Sequence, residues 1–176
     1  SITVLIPVYN SMNTIKACLE SVKKIKYPGT LEILVIDDCC TDGTSEYLKT
    51  VKGITLFRQP HNSGKATAMN TGLKKVKTEL VACIDSDTYP DPDVFVKSVG
   101  YFDDKGVGAV SCLILPDKKK SLIQRIQFFE YASGFGLWTT VLASINAMSM
   151  IPGPMTIFRN KFFDEAGGYD KDNLTE

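Results

Sequence analysis

The sequence predicts an α/β fold, a mostly parallel sheet with helices on both faces. Three observations carry that expectation. Short apolar runs recur at 2–8, 31–36, 54–57, 80–84 and 107–115. Stretches with apolar residues at helical spacing separate them. The first, second and fourth runs end abruptly in polar groups: Tyr9-Asn10, Asp37-Asp38 and Asp85-Ser86-Asp87. A short, wholly apolar strand is buried on both faces, as parallel strands are. Strand alternating with helix then gives crossover connections and a single layered sheet.

The elements follow in order. Ile2 to Val8 is a first strand, with Pro7 near its end, and Tyr9-Asn10-Ser11 turns the chain. Ser11 or Asn13 is placed to cap a helix carrying Ile15, Leu19 and Val22. Tyr27-Pro28-Gly29-Thr30 ends that helix, and a second strand runs from Leu31 to Ile36. Thr41-Asp42-Gly43-Thr44 turns into a helix with Thr44 or Ser45 as cap, and a short third strand covers 54–57. The polar loop His61-Asn62-Ser63-Gly64-Lys65 leads into a helix over 66–76. The fourth strand ends at Asp85, because charge cannot continue along a strand buried on both faces. Pro90-Asp91-Pro92-Asp93 opens a helix with Val94, Phe95, Val99 and Phe102, since prolines suit a first helical turn. After a fifth strand over 107–115 the character changes. Residues 131–158 carry no charge. That is long enough to raise a membrane span. Interspersed Gly, Ser, Thr and Asn, and Pro152-Gly153-Pro154, favour instead a helix packed on the domain near a membrane surface. Met155 to Phe158 reads as another strand and 160–166 as a short helix.

Composition sets outer bounds. The 176 residues, 44% apolar and 23% charged, suit a single domain over 1–176 with a sizeable core. A formal net charge of zero gives no bulk attraction for nucleic acid, and Lys118-Lys119-Lys120 reads as a solvated loop. The five cysteines are scattered apart from Cys39-Cys40, with no zinc-like spacing. Cys83 and Cys112 read as small core residues, and the expected compartment is reducing. No leader peptide is apparent, since the chain opens as a strand.

The polar strand ends carry the chemistry. In a parallel sheet the carboxyl ends of strands share one edge, where ligands bind. Asp37, Asp38, Asp85 and Asp87 together would be unstable there without donors and a cation. Hard carboxylate oxygens suit Mg²⁺ or Mn²⁺, metals that usually arrive with phosphates. Lys65, after a glycine and ahead of a helix, is placed to meet a phosphate. There is no Gly-x-x-x-x-Gly-Lys-Ser/Thr loop, and no Gly-x-Gly-x-x-Gly follows the first strand, which argues against a P-loop and a dinucleotide site.

Taken together, Ile6-Pro7-Val8-Tyr9-Asn10, Val35-Ile36-Asp37-Asp38 with Thr41-Asp42-Gly43-Thr44, Asn62-Ser63-Gly64-Lys65 with Ala68-Met69-Asn70, and Asp85-Ser86-Asp87 resemble the motifs of family 2 inverting glycosyltransferases with a GT-A (Rossmann-like) fold. The resemblance covers essentially the whole chain. Gly153-Pro154-Met155-Thr156-Ile157-Phe158-Arg159 and Gly167-Gly168-Tyr169, with Leu174-Thr175-Glu176, resemble the processive membrane synthases of hyaluronan, chitin, poly-N-acetylglucosamine and cellulose. The resemblance implies a nucleotide-sugar part over 1–115 and an acceptor-side part over 116–176. Tyr9 and one of Asp37 and Asp38, with Asp38 favoured, would bind uracil, and Lys65 would meet the nucleotide. Pro7, Asn10, Asn62, Gly64 and Ser86 belong to the same nucleotide-binding motifs. Asp85 would contact ribose or donor sugar, and Asp87 would coordinate Mn²⁺ or Mg²⁺ on the diphosphate. Gly153, Pro154, Arg159 and Thr175 would lie on the acceptor side, and Glu176 is the candidate catalytic acid nearest the family's general base. The implied donor is a UDP-sugar, UDP-N-acetylglucosamine or UDP-glucose favoured, and the acceptor a glycan or a lipid-linked sugar.

The chain departs from the pattern at Cys39-Cys40, where small polar residues are usual, and at Glu176, one residue before the expected base. It is therefore expected to be a soluble catalytic portion, poorly active as it stands, of a protein held at the cytoplasmic face of the membrane by further segments. Single-sugar transfer to a polyprenyl phosphate, a nucleotidyltransferase and a receiver-like regulatory domain are the rival readings. Gly153-Pro154 and Thr175-Glu176 weigh against the first, and Tyr9-Asn10-Ser11-Met12, neither glycine-rich nor basic, against the second. The acids follow strands two and four, and the chain is long, which weighs against the third.

Overall fold

The computed structural model describes residues 1–117, 121–145, 147–148, 151 and 153–172. Among them six strands make one sheet: β1 Ile2–Val8, β2 Leu31–Asp37, β3 Thr55–Arg58, β4 Leu80–Ile84, β5 Ala109–Ser111 and β6 Met155–Arg159, in the order β3-β2-β1-β4-β6-β5. β1 pairs in parallel with β2 and β4, and β2 with β3, while β6 runs antiparallel between β4 and β5. The fold is the mostly parallel α/β sheet that the apolar runs predict.

Every residue of β1 and β4 is buried. Helices cover both faces. On one, Val4, Ile6 and Val8 pack with Ile15, Cys18, Leu19 and Val22 of α1 (Ile15–Val22) and with Phe95 of α4 (Val94–Ser98). On the other, Leu5, Leu34, Ile36 and Val81 pack with Ala68, Met69 and Leu73 of α3 (Lys65–Leu73). Gly72 lets α3 lie this close: a Cβ there would come within 2.2 Å of the Leu5 side chain. That approach sets where Lys65, the first residue of α3, meets the end of β4.

Several boundaries differ from expectation. β5 holds three residues instead of nine. Its last ladder bond, Cys112 N–H to the Met155 carbonyl, is followed by exposed Leu113 and Leu115, which leave the sheet to form a wall. The helix after Pro92 is α-helical only to Ser98 and continues as a 3₁₀ turn over Val99–Asp103. No side chain caps α1 or α2 (Thr44–Thr50); Thr44 and Ser45 are buried and serve the acids before them. Residues 132–144 of the charge-free stretch are helical, but the helix begins earlier. α5 (Leu122–Tyr131) opens with a Ser121–Gln124 capping box, passes through a π-helical segment Ala132–Trp138 and ends as α6 (Thr139–Ser144). Leu122, Ile126, Phe129, Trp138 and Ile145 of this rod are exposed. Among the described residues no helix is long and apolar enough to cross a membrane.

The last described helix is α7 (Lys161–Ala166). Beyond it the Asn70 amide clamps the backbone of Tyr169, donating to its carbonyl and accepting from its N–H, both at 2.8 Å. Gly168 passes so near that a Cβ would sit 2.5 Å from Asn70 Oδ1.

Candidate active site

The carboxyl ends of β1, β2 and β4 meet at one edge of the sheet, where a cleft of about 310 Å³ opens. Pro7, Tyr9 and Asp38 line it from the first two strands. Asn62, Gly64 and Lys65 line it from the loop before α3, and Asp85, Ser86 and Asp87 from the end of β4. Nine residues placed there by the sequence are thus together. Two others stand behind the wall. Asn10, held at φ 46°, accepts from the Thr41 N–H at 2.8 Å and closes the loop between β1 and β2. Asp37 is fully buried.

The four acids resolve their mutual repulsion in different ways. Asp37 accepts from the Cys40 N–H at 2.9 Å and from the Ser45 hydroxyl, with Arg58 Nε at 3.7 Å. Burial alone would raise its pKa. The bonds from Cys40 and Ser45 and the Arg58 charge outweigh burial and hold the carboxyl below its ordinary value. Asp38 accepts from Gln59 Nε2 and the Ser63 N–H on one oxygen and from the Gly64 N–H on the other, each at 2.9 Å. It therefore ties the loop ahead of α3 to the end of β2. Asn62 adds an internal bond, accepting from the Gly64 N–H at 3.1 Å. Asp85 pairs with Lys65 at 3.0 Å, and its N–H reaches the Pro154 carbonyl at 3.3 Å. Asp87 is exposed, and its carboxylate makes no hydrogen bond or ion pair among the described residues. Beneath this edge Cys18 donates toward the Asp85 carbonyl at 3.6 Å. Burial, then the Asp87 and Asp85 charges, push its thiol up to about 12, so it stays protonated.

Asp87 is the acid that fits a metal. Among the described residues no group of three His, Cys, Asp or Glu could cage a metal ion. Mg²⁺ and ions like it need no such cage: they bind through one or two carboxylates plus phosphates and water. A single unpartnered carboxylate at the mouth of a cleft suits that mode.

A second cleft, of about 660 Å³, shares Asp85 and Asp87 with the first. Tyr89, Asp117, Leu113 and Leu115 wall it, with Gln127, Phe128 and Tyr131 of α5 across from them and Pro154 at its base. Burial, then the Asp117 and Asp87 charges, raise the Tyr89 phenol above its ordinary value. Of the residues assigned to the acceptor side, Pro154 is here and Gly153 is its neighbour in the chain. Arg159 is not. Because β6 runs antiparallel, Met155 lies opposite Ile84 and Arg159 opposite Leu80, at the far edge of the sheet. There Arg159 bonds the carbonyls of Phe102, Asp104 and Val107 and pairs with Glu79 at 2.7 Å. Thr175 and Glu176 lie outside the described residues.

Two supporting residues escaped the sequence reading. Ser45 reads as a helix cap and instead bonds Asp37; Gln59 is a buried amide that bonds Asp38 and offers no periodic signal.

The comparisons decide the family. Residues 3–167 match glycosyl transferase family 2. The chain belongs to that family. It is 32% identical, over 99% of its length, to a poly-β-1,6-N-acetyl-D-glucosamine synthase of Staphylococcus epidermidis, and 33% identical to that of Staphylococcus aureus. It spans 43% of those relatives. Among solved structures it is similar to the mannosyltransferase PcManGT from Pyrobaculum calidifontis, in complex with GDP-Man and Mn²⁺ (TM-score 0.75, 26% identity, 97% of this chain and 48% of that one). It also shares its fold with S. aureus TarS (TM-score 0.74, 21% identity, 98% of this chain and 31% of that one). The chain is a glycosyltransferase domain of the GT-A fold.

Proposed function

We propose that this domain transfers a hexose unit from a UDP-sugar, with inversion and with a divalent metal, in the assembly of a polysaccharide. The observation that carries the reading is the division of labour among the four acids. Three are satisfied within the chain, and among the described residues Asp87 alone is left without a partner, toward the cleft. Tyr9, 51% exposed on the cleft wall, offers a face for the base, and stacking of this kind is worth about 1–3 kcal/mol. Asp38 has used three acceptor positions of the roughly four a carboxylate offers, which leaves one for the uracil N–H. Lys65, at the start of α3, would exchange Asp85 for the diphosphate. Mn²⁺ or Mg²⁺ held by Asp87 would supply charge stabilisation of the leaving diphosphate. The Mn²⁺ in the mannosyltransferase complex supports a metal, and the names of the curated relatives support N-acetylglucosamine as the sugar. By the resemblance, the general base would lie next to Thr175-Glu176, one residue on.

Membrane attachment, the cytoplasmic location and the full synthase activity are proposals about the longer protein in which such domains occur. The test of the donor reading is calorimetric titration with UDP, GDP and UDP-sugars, with and without Mn²⁺. Metal-enhanced, uridine-selective binding is expected, and equal affinity for GDP would refute the base assignment.

A further inference from the structure

We propose that a third cleft, at the edge of the sheet opposite the donor site, binds a small ligand with two phosphate groups through Lys77, Lys105 and Lys161. The inference stands apart from the donor reading, because the two clefts share no lining residue. This cleft, of about 600 Å³, lies where β4 begins and β6 ends. Sites for small molecules usually enclose about 300–1,000 Å³, so a concavity of this size suits a small ligand better than the face of an acidic protein.

Charge carries the inference. Lys77, Lys105, Arg159 and Lys161 line the cleft with a single carboxylate, Glu79. Glu79 is already committed, accepting from Arg159 at 2.7 Å. Arg159 is buried and donates also to the carbonyls of Phe102, Asp104 and Val107. That pair is neutral as a unit, so the excess charge belongs to the three lysines. All three are exposed, and none forms an ion pair among the described residues. Lys161 makes a ring contact instead, its ammonium 4.9 Å from Phe162. Asp103 and Asp104 precede Lys105 in the chain, but neither lines the cleft, and Asp104 accepts from the Gly106 N–H at 2.8 Å. The chain has a formal net charge of zero, so this gathering of cations is local and does not reflect a basic protein. Like charges on one concave wall repel each other and focus their field on an incoming anion.

The donors define the ligand. The Arg159 fork is taken by its carbonyls and Glu79, which leaves lysines, and lysine meets phosphate as a point charge. A single phosphomonoester carries about −1.5 to −2 charges at pH 7, too few to match three lysines, whereas two phosphates engage them all. A free diphosphate and a lipid headgroup with two phosphates share this chemistry.

The experiment follows the backbone amides by proton–nitrogen NMR as inorganic pyrophosphate is added in EDTA. Amides around Lys77, Lys105 and Lys161 should shift and saturate, and added salt should weaken the binding. Amides around Lys65 report the donor cleft separately. Combining Lys77→Gln, Lys105→Gln and Lys161→Gln should weaken the new site by at least about tenfold and leave the Lys65 region titrating as in wild type. Sedimentation with phosphatidylcholine vesicles, with and without cardiolipin, separates the two sources. Cardiolipin-dependent binding that the triple variant loses assigns the site to a lipid headgroup. Pyrophosphate shifts without such binding assign it to a free diphosphate. The proposal is overturned if pyrophosphate titrates the variant as it does wild type. It is equally overturned if wild type shows neither shifts at the three lysines nor cardiolipin binding that depends on them.

Discussion

The Lys65 ammonium lies 3.0 Å from the Asp85 carboxylate, across the mouth of the nucleotide cleft. The pair joins the first residue of α3 to the end of β4 and is partly exposed to solvent, so its own contribution to stability is small. On the proposed donor reading it would keep Asp85 from repelling an incoming diphosphate while holding a cation beside it. Lys65→Ala should therefore cost more in binding than in stability. A loss of about tenfold in UDP affinity is expected, because a charge-assisted contact of about 1.5 kcal/mol disappears while like charge is left on Asp85. Calorimetry at low and high salt checks it. Unchanged UDP affinity would place the diphosphate elsewhere.

Asp38 and Asp37 are neighbours with different duties, and substitution should separate them. Asp38→Ala removes the carboxylate proposed to accept from uracil and releases Gln59, Ser63 and Gly64. UDP affinity should fall by at least about tenfold. Asp37→Ala leaves the buried Cys40 N–H and Ser45 hydroxyl without their acceptor and should destabilise the fold by about 3 kcal/mol, read from urea unfolding. A larger loss of UDP affinity in a folded Asp37→Ala protein than in Asp38→Ala would reverse the assignment.

Asp37 also predicts an acid limb of stability. Its folded pKa is held below the unfolded value of about 3.9, so between the two the unfolded chain binds the extra proton. Stability from this group is complete above the unfolded value and is lost as pH falls through the folded one. The difference in urea midpoint between wild type and Asp37→Asn should therefore shrink as pH is lowered from 6 toward about 3. A constant difference across that range would remove the linkage.

How far the sequence could be read follows from where burial is two-sided. β1 and β4 are apolar at nearly every position because helices cover both faces, and such runs are unmistakable. The acids at their ends were legible for the same reason: charge stops a buried strand. β6 was legible as a strand but not in direction, since a five-residue run looks alike parallel or antiparallel. That one ambiguity carried Arg159 to the wrong edge of the sheet. The run at 107–115 misled because Leu113 and Leu115, apolar as they are, wall a cleft and do not continue a strand. The start of α5 is legible in the Ser121–Gln124 capping box, a weaker signal than the charge-free stretch that follows.

Arg159 should behave as a structural anchor. Arg159→Met would leave three carbonyls and Glu79 without their donor at the edge opposite the cleft. Stability should fall by about 2–4 kcal/mol, by denaturant unfolding, with UDP affinity unchanged in the folded protein. Weakened UDP binding in a protein of normal stability would return Arg159 to the active site.

The central claim is that Asp87, left without a partner among the described residues while the chain satisfies the other three acids, is the metal-bearing carboxylate of a nucleotide-sugar site. Calorimetric titration of UDP into wild type and Asp87→Ala, each with and without Mn²⁺, measures it most directly. Mn²⁺ should tighten UDP binding to wild type by at least about tenfold and leave Asp87→Ala unaffected, with the metal-free affinities of the two similar. Equal Mn²⁺ enhancement in both proteins would contradict the account.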